Sequence, residues 1–237
     1  MANIFRIIMR KMTLVVFDYI HTRKKIQRIY ILNIPFDVYP KVYNPEFSRT
    51  LKFPTTEHMA KHIHVDRGMK VLDVGTGIGV QAIVAALQGG HVVATDIFEN
   101  AVMCTAHNVK LNKVENLVDV RRGDLFEPVQ NEKFDLILWL APSFFKEPKF
   151  PYQQGWMCGK NGKVLEDFCN NVDKYLNSNG KILFSCVDRN RKFILSQLKR
   201  QGFYYKLVAP PKYRFPLETI TLYEAERNVR RLQTDEQ

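Results

Sequence analysis

From Met69 onward the chain alternates short apolar runs with segments of helical apolar spacing, and this alternation constrains the fold more than any other feature. "MKVLDV" reads as a strand, and "GVQAIVAALQ" (Gly79–Gln88) reads as a helix stopped by Gly89-Gly90. "HVVATDI" follows as a strand, and Asn100–Asn112 as a helix with Ala101, Cys104 and Val109 on one face. "LVDVRRGD" and "KFDLILWL" are two more strands, the second apolar nearly throughout, as a strand buried on both faces should be. Val164–Leu176 is a helix ended by Asn177–Gly180, and "KILFSCV" is a strand. "RKFILSQLKRQG" is a helix, and "FYYKLVA" and "TITLYEAE" are consecutive strands. Repeated strand–helix units imply parallel pairing, and two strands without a helix between them imply a terminal hairpin. The expected class is therefore α/β: a doubly wound seven-stranded sheet with one antiparallel C-terminal hairpin.

Before this block, Ile29–Phe47 carries three prolines among its aromatics and reads as short strand and irregular chain. "FPTTEHMAKHI" (Phe53–Ile63) reads as a helix, with Thr55 or Thr56 as N-cap and Glu57 in its first turn. The expected organisation is an N-terminal extension over residues 1–52 serving as a substrate-side wall, a main domain over 53–226 and a charged tail over 227–237.

Three glycines, Gly75, Gly77 and Gly79, sit directly between the first strand of the block and its helix, in "VLDVGTGIGV". Glycine at that point removes side chains where a ligand approaches the backbone. The spacing G-x-G-x-G lacks the extra residue of the pyrophosphate-binding fingerprint. An acid closes each of three successive strands: Asp73 before the glycines, Asp96 in "VVATDI" and Asp124 in "RGDLFEP". A carboxylate at the position of Asp96 accepts hydrogen bonds from two ribose hydroxyls. One at Asp124 accepts from an exocyclic purine amine.

These three segments, in this order and spacing, resemble the Rossmann-like class I methyltransferases that use S-adenosylmethionine (SAM). Within that class, "VYNPEFSRTLKFPTTEHMA" and "GKNGKVLEDFCNNVDKYLNSNGKILFS" look like the methyltransferase small domain group. That group includes ribosomal RNA, tRNA-adenine and release-factor glutamine methyltransferases. The resemblance implies SAM as cofactor. It puts Asp73, Gly75, Thr76, Gly77 and Gly79 around the methionine part, Asp96 on the ribose, and Ile97, Asp124 and Leu125 around the adenine.

The same resemblance places the reacting end after the fourth strand of the block. Nitrogen-methylating members carry Asn-Pro-Pro-Tyr there, and this chain has Leu140, Ala141, Pro142 and Ser143. Leu140 has no side-chain acceptor, which leaves the backbone carbonyls of Leu140 and Ala141 to orient an N–H. Alignment in a dry pocket supplies much of the rate of such a transfer. The following segment, Ser143–Gly162, is long, aromatic and rich in proline and glycine, and is expected to lie over the strand ends as a lid. Ser143, Phe144 or Phe145, Tyr152, Gln153 and Trp156 are candidate substrate contacts, with Tyr43 and Glu46 on the opposite wall. The lost motif and the aromatic lid point to a small-molecule acceptor. The alternative is an RNA or protein N-methyltransferase. A second alternative is an enzyme that cyclises SAM itself and releases methylthioadenosine, and a binding module without turnover is a further reading.

Charge bears on these choices. The chain has a net charge of +11, and residues 1–31 alone hold seven Lys/Arg against one Asp. Residues 188–237 hold eleven basic and six acidic side chains. Two basic ends flank a neutral middle, which makes nucleic acid a candidate partner. No uncharged run near the N-terminus is long enough for a signal peptide or a membrane span. The four cysteines form no C-x-x-C pair. A cytoplasmic protein with reduced thiols, no membrane and no metal is expected. His58 and His62 are four residues apart, but no third ligand completes a set.

Overall fold

The structure, a computed structural model, describes residues 25–46, 55–209, 214–215 and 218–227. The expectations for most of the basic N-terminal run and for the charged tail therefore lie outside the described residues. The elements in chain order are β1 (Gln27–Ile31), β2 (Ile34–Val38), α1 (Thr55–Ala60), β3 (Lys70–Val74), α2 (Val80–Leu87), β4 (His91–Asp96) and α3 (Glu99–Leu111). They continue with β5 (Val118–Arg122), β6 (Phe134–Leu140), α4 (Lys163–Asn171), β7 (Leu176–Val187), α5 (Asp188–Arg200), β8 (Phe203–Ala209), β9 (Arg214–Phe215) and β10 (Glu218–Arg227).

Seven strands form one sheet in the order β5-β4-β3-β6-β7-β10-β8, and the two-residue β9 pairs with β10 off that path. β3, β4, β5, β6 and β7 are mutually parallel, and β10 runs antiparallel to both β7 and β8. This is the expected doubly wound sheet with its C-terminal hairpin. β3 is the switch point, because the chain steps outward to β4 and β5 on one side and to β6 and β7 on the other. Ligands in such sheets bind at the carboxyl ends of the strands flanking the switch.

Each face of the sheet buries its own cluster. On one face α1, α2 and α3 pack with the β1–β2 hairpin around Met59, Ile83, Leu138 and Leu183. On the other, α4 and α5 pack around Leu72, Ile137, Phe168 and Ile194. Phe168 stacks on Trp139 with ring centroids 3.7 Å apart. All four cysteines are buried.

Two boundaries differ from the sequence expectation. Asn177–Gly180, read as a helix stop, is the first part of β7, joined through a register shift opposite Phe134–Leu136. A side chain on Gly180 would lie 2.8 Å from the carbonyl of Phe134, so only glycine lets the two backbones meet there. The lead-in read as short strand and irregular chain contains the hairpin β1–β2, turned by Leu32 and Asn33 at φ 52° and 65°. Left-handed geometry at both turn residues suits a two-residue hairpin, but Leu-Asn lacks the glycine that announces one.

Lys113 ends α3 in the same left-handed region, at φ 58°, while Val114 donates back to the Val109 carbonyl at 3.2 Å. Glycine is the residue that this cap favours. Lys113→Gly is expected to raise unfolding stability by about 0.5–1 kcal/mol, since relief of the left-handed penalty exceeds the added chain entropy. Urea denaturation checks it, and a destabilised variant contradicts it.

Candidate active site

A cavity of about 460 Å³ opens at the carboxyl ends of β3, β4 and β6, where the switch point predicts one. Its size falls in the range of cofactor sites. The glycine loop forms one wall. Gly75, Gly77 and Gly79 adopt φ of 72°, 62° and 86°, so the alternate glycines are three left-handed turns that side chains rarely tolerate. Gly75 N and Thr76 N both donate to the Thr95 carbonyl at 2.9 Å, which folds the loop back over β4. A side chain added at Gly75 or Gly77 would meet nothing within 4 Å, whereas one at Gly79 would lie 3.0 Å from Thr105 Cγ2. The first two glycines leave space toward the cavity, and the third makes room for α3.

The three acids take different places. Asp96 is half-buried and lines the cavity; its carboxylate accepts from Gly77 N at 3.0 Å and Phe98 N at 2.9 Å. Each oxygen has a further lone pair for a ligand. Asp124 lies exposed at the cavity wall. Asp73 is buried behind the loop, accepts the Thr76 hydroxyl at 2.6 Å and does not line the cavity. Burial pushes the Asp73 carboxyl up to about 7. Burial also raises Asp96, and raises Asp124 with help from the neighbouring Glu127. A site whose carboxylates are penalised in their charged form gains from a cationic ligand.

The remaining predicted residues divide in the same way. Ile97, Leu125, Thr76, Tyr43, Phe144, Tyr152 and Trp156 line the cavity together with Leu140, Ala141, Pro142 and Ser143. Ile97 keeps 36% of its surface exposed, an apolar face left open at the end of β4. Gln153 is turned away: its side-chain oxygen accepts from Lys149 N and Phe150 N and braces its own loop. Phe145 and Glu46 also lie off the cavity wall, and Phe145 packs edge-on to Phe193. The expected lid forms a wall. Ser143 N and Phe144 N donate to the Trp156 carbonyl, and Phe144, Trp156 and Met157 make a small buried cluster with Tyr43 and Tyr152.

Several residues at the site were not predicted. Thr105 donates to the Gly77 carbonyl at 3.0 Å, and Asn108 to the Ile78 carbonyl at 2.9 Å, both from the buried face of α3. Arg189 lines the cavity with its guanidinium 4.5 Å from the Phe144 ring centroid. Buried Asn190 donates to the Pro142 carbonyl at 2.9 Å. In the sequence these read as polar interruptions in amphipathic helices, with no spacing to mark them. His58 is buried with its ring 4.9 Å from that of His62. Among the described residues no three His, Cys, Asp or Glu side chains converge as a metal site would require. No described helix is long and apolar enough to cross a membrane.

Comparison with known proteins puts this geometry in context. Residues 46–193 match the family model of the methyltransferase small domain. A ribosomal protein L11 methyltransferase of Lactobacillus johnsonii is 36% identical over 121 residues, 51% of this chain and 32% of that protein. The chain thus spans about a third of that relative's length. Among solved structures, the ribosomal protein L11 methylase of Lactobacillus delbrueckii superposes with a TM-score of 0.58 at 22% identity, covering 81% of this chain and 84% of that one. A tRNA methyltransferase of Methanocaldococcus jannaschii superposes with a TM-score of 0.58 at 18% identity, covering 87% and 58%. At such identities the superpositions speak for the fold alone.

The expectation of a small-molecule acceptor does not stand against these findings, because the sequence relatives are named as methyltransferases of a ribosomal protein. It rested on the missing strand-end asparagine and on an aromatic lid. The aromatic segment is a wall of the cavity, and a backbone carbonyl accepts an N–H as well as an amide side chain does.

Proposed function

The chain belongs to the methyltransferase small domain family, and on that premise we propose that it is a SAM-dependent methyltransferase acting on a nitrogen of a macromolecule. The observation that carries this reading is the meeting of Asp96, open Ile97 and the two unobstructed glycines, Gly75 and Gly77, on one cavity wall. Those groups fit a cationic nucleoside. In this reading Asp96 accepts the ribose hydroxyls, Ile97 and Leu125 sandwich the adenine, and Asp124 takes its amine. Gly75, Thr76 and Gly77 face the methionine part, and Asp73 and Gly79 shape the loop from behind. When bound, SAM supplies a methyl group already activated on a sulfonium.

The chain's own work is then positioning. Orienting the acceptor N–H falls to the carbonyls of Leu140 and Ala141, and Asn190 steadies the same strand end through the Pro142 carbonyl. Tyr43, Phe144, Tyr152 and Trp156 wall the acceptor and exclude water, and Ser143 stands at the same strand end. Aromatic faces also favour a nitrogen that gains positive charge as it is methylated. Trp156→Ala is expected to lower turnover at least about 10-fold with little change in affinity for S-adenosylhomocysteine (SAH). A normal rate removes Trp156 from the acceptor wall.

A protein acceptor follows from the relatives' names. RNA is the second reading, favoured by the outer side of the wall loop. There Phe150, 53% exposed, stacks on Tyr152 with rings 5.5 Å apart and 5° from parallel. Lys146, Lys149 and Lys160 of the same loop are exposed. A stacked ring pair on a loop that carries exposed cations suits unpaired bases. Calorimetric titration with SAH tests the cofactor, with one site per chain expected and no heat overturning the reading. Anisotropy of a fluorescent single-stranded RNA tests the acceptor class. Weaker binding by Phe150→Ala supports RNA, and no RNA binding leaves the protein acceptor.

A further inference from the structure

We infer that Asn108 is a positioning residue that locks the N-terminal hairpin to the cofactor loop, so that hairpin and cofactor stabilise each other. The inference rests on the reading that the Gly75–Gly79 loop holds the cofactor. Asn108 is fully buried on α3. Its side-chain oxygen accepts from Asp37 N at 2.8 Å. Its nitrogen donates to the Asp37 carbonyl and to the Ile78 carbonyl, each at 2.9 Å. Both N–H groups and the oxygen are thereby used, two bonds on β2 and one on the loop. One turn earlier, Thr105 holds the Gly77 carbonyl at 3.0 Å. The glycine loop therefore hangs from the same helix turns that seat the hairpin.

The hairpin end of this link is strongly fixed. The Asp37 carboxylate takes Arg28 in a two-pronged pair at 2.6 and 2.7 Å and His107 at 2.8 Å. Arg28 is the main cause that holds the Asp37 carboxyl down at about 2. From Asp37 the chain runs on to Lys41, Val42, Tyr43 and Pro45, which line the cavity, whereas Gln27–Val38 do not. Displacing the hairpin removes two of the three bonds that orient Asn108 and exposes the third, on Ile78, to water. A ligand that orders the loop must then tighten the hairpin, and by linkage a seated hairpin must tighten the ligand.

Hydrogen exchange on the full chain, with and without saturating SAH, reads this coupling. Amides of Gln27–Val38 are expected to exchange at least about fivefold more slowly with SAH, and this protection should vanish in Asn108→Ala. If that variant does not fold, Arg28→Gln at the surface serves instead. It is expected to weaken SAH binding about 3- to 10-fold although Arg28 lies off the cavity. An asparagine that merely packs would lower stability and leave the SAH-dependent protection in place. SAH binding without hairpin protection, or with unchanged affinity in Arg28→Gln, overturns the coupling. Absence of SAH binding to the native chain overturns the cofactor reading itself.

Discussion

Replacing Asp96 by alanine is expected to weaken SAH binding by about 100-fold or more. The carboxylate closes the loop through Gly77 N and has lone pairs to spare on the cavity side. Losing two hydrogen bonds to a charged acceptor costs about 3 kcal/mol at the low end of the usual range, which is about two decades in affinity. Asp96→Asn keeps one oxygen and should lose about 10-fold. Titration calorimetry at fixed pH and salt measures both. Unchanged affinity in the alanine variant would remove Asp96 from the ribose and leave it as a loop anchor only.

The second large effect concerns Asp73. Burial raises its carboxyl from the ordinary 3.8 to about 7, while the unfolded chain titrates near the ordinary value. Between these two values the native state holds a proton that the unfolded state has released. The stabilisation is thus complete below pH 4 and falls as pH rises through 7. At roughly 1.4 kcal/mol for each pH unit, the loss approaches about 4 kcal/mol by pH 8. Asp73→Asn cannot ionise and should lack this slope. Asp96 and Asp124 shift in the same direction, but they are present in both proteins and cancel in the difference. The Asp37 carboxyl, held at about 2, acts only in stronger acid. Urea unfolding of native and variant chains at pH 4, 6 and 8 gives the difference directly. A native-minus-variant difference that stays constant across that range contradicts the assignment.

Much of the fold was legible because its signals are local. A nearly all-apolar β6, glycine stops after α2 and acids at three strand ends survive without knowledge of tertiary contacts. The wall that carries Tyr43 was harder to read. Its hairpin turns on Leu32 and Asn33, and its seat on α3 is made of short polar side chains from Asn100, His107, Asn108 and Asn112. Such contacts span 60 to 77 residues of sequence, and pattern reading sees them only as breaks in an apolar face. Gln153 misled for the opposite reason, since a polar residue in an aromatic loop suggests a ligand contact although its partners are the backbone of its own turn. The small-molecule expectation gives a missing side chain more weight than the carbonyls that remain at the end of β6.

Methyl transfer from this cavity to a macromolecule can be followed with labelled SAM. Purified protein given SAM labelled on its methyl group, with a cell extract then divided into protein, RNA and small molecules, tests it most directly. Label is expected in the protein or the RNA fraction, and is expected to be lost with Asp96→Ala. Label confined to small molecules, or methylthioadenosine formed without any acceptor, would contradict it.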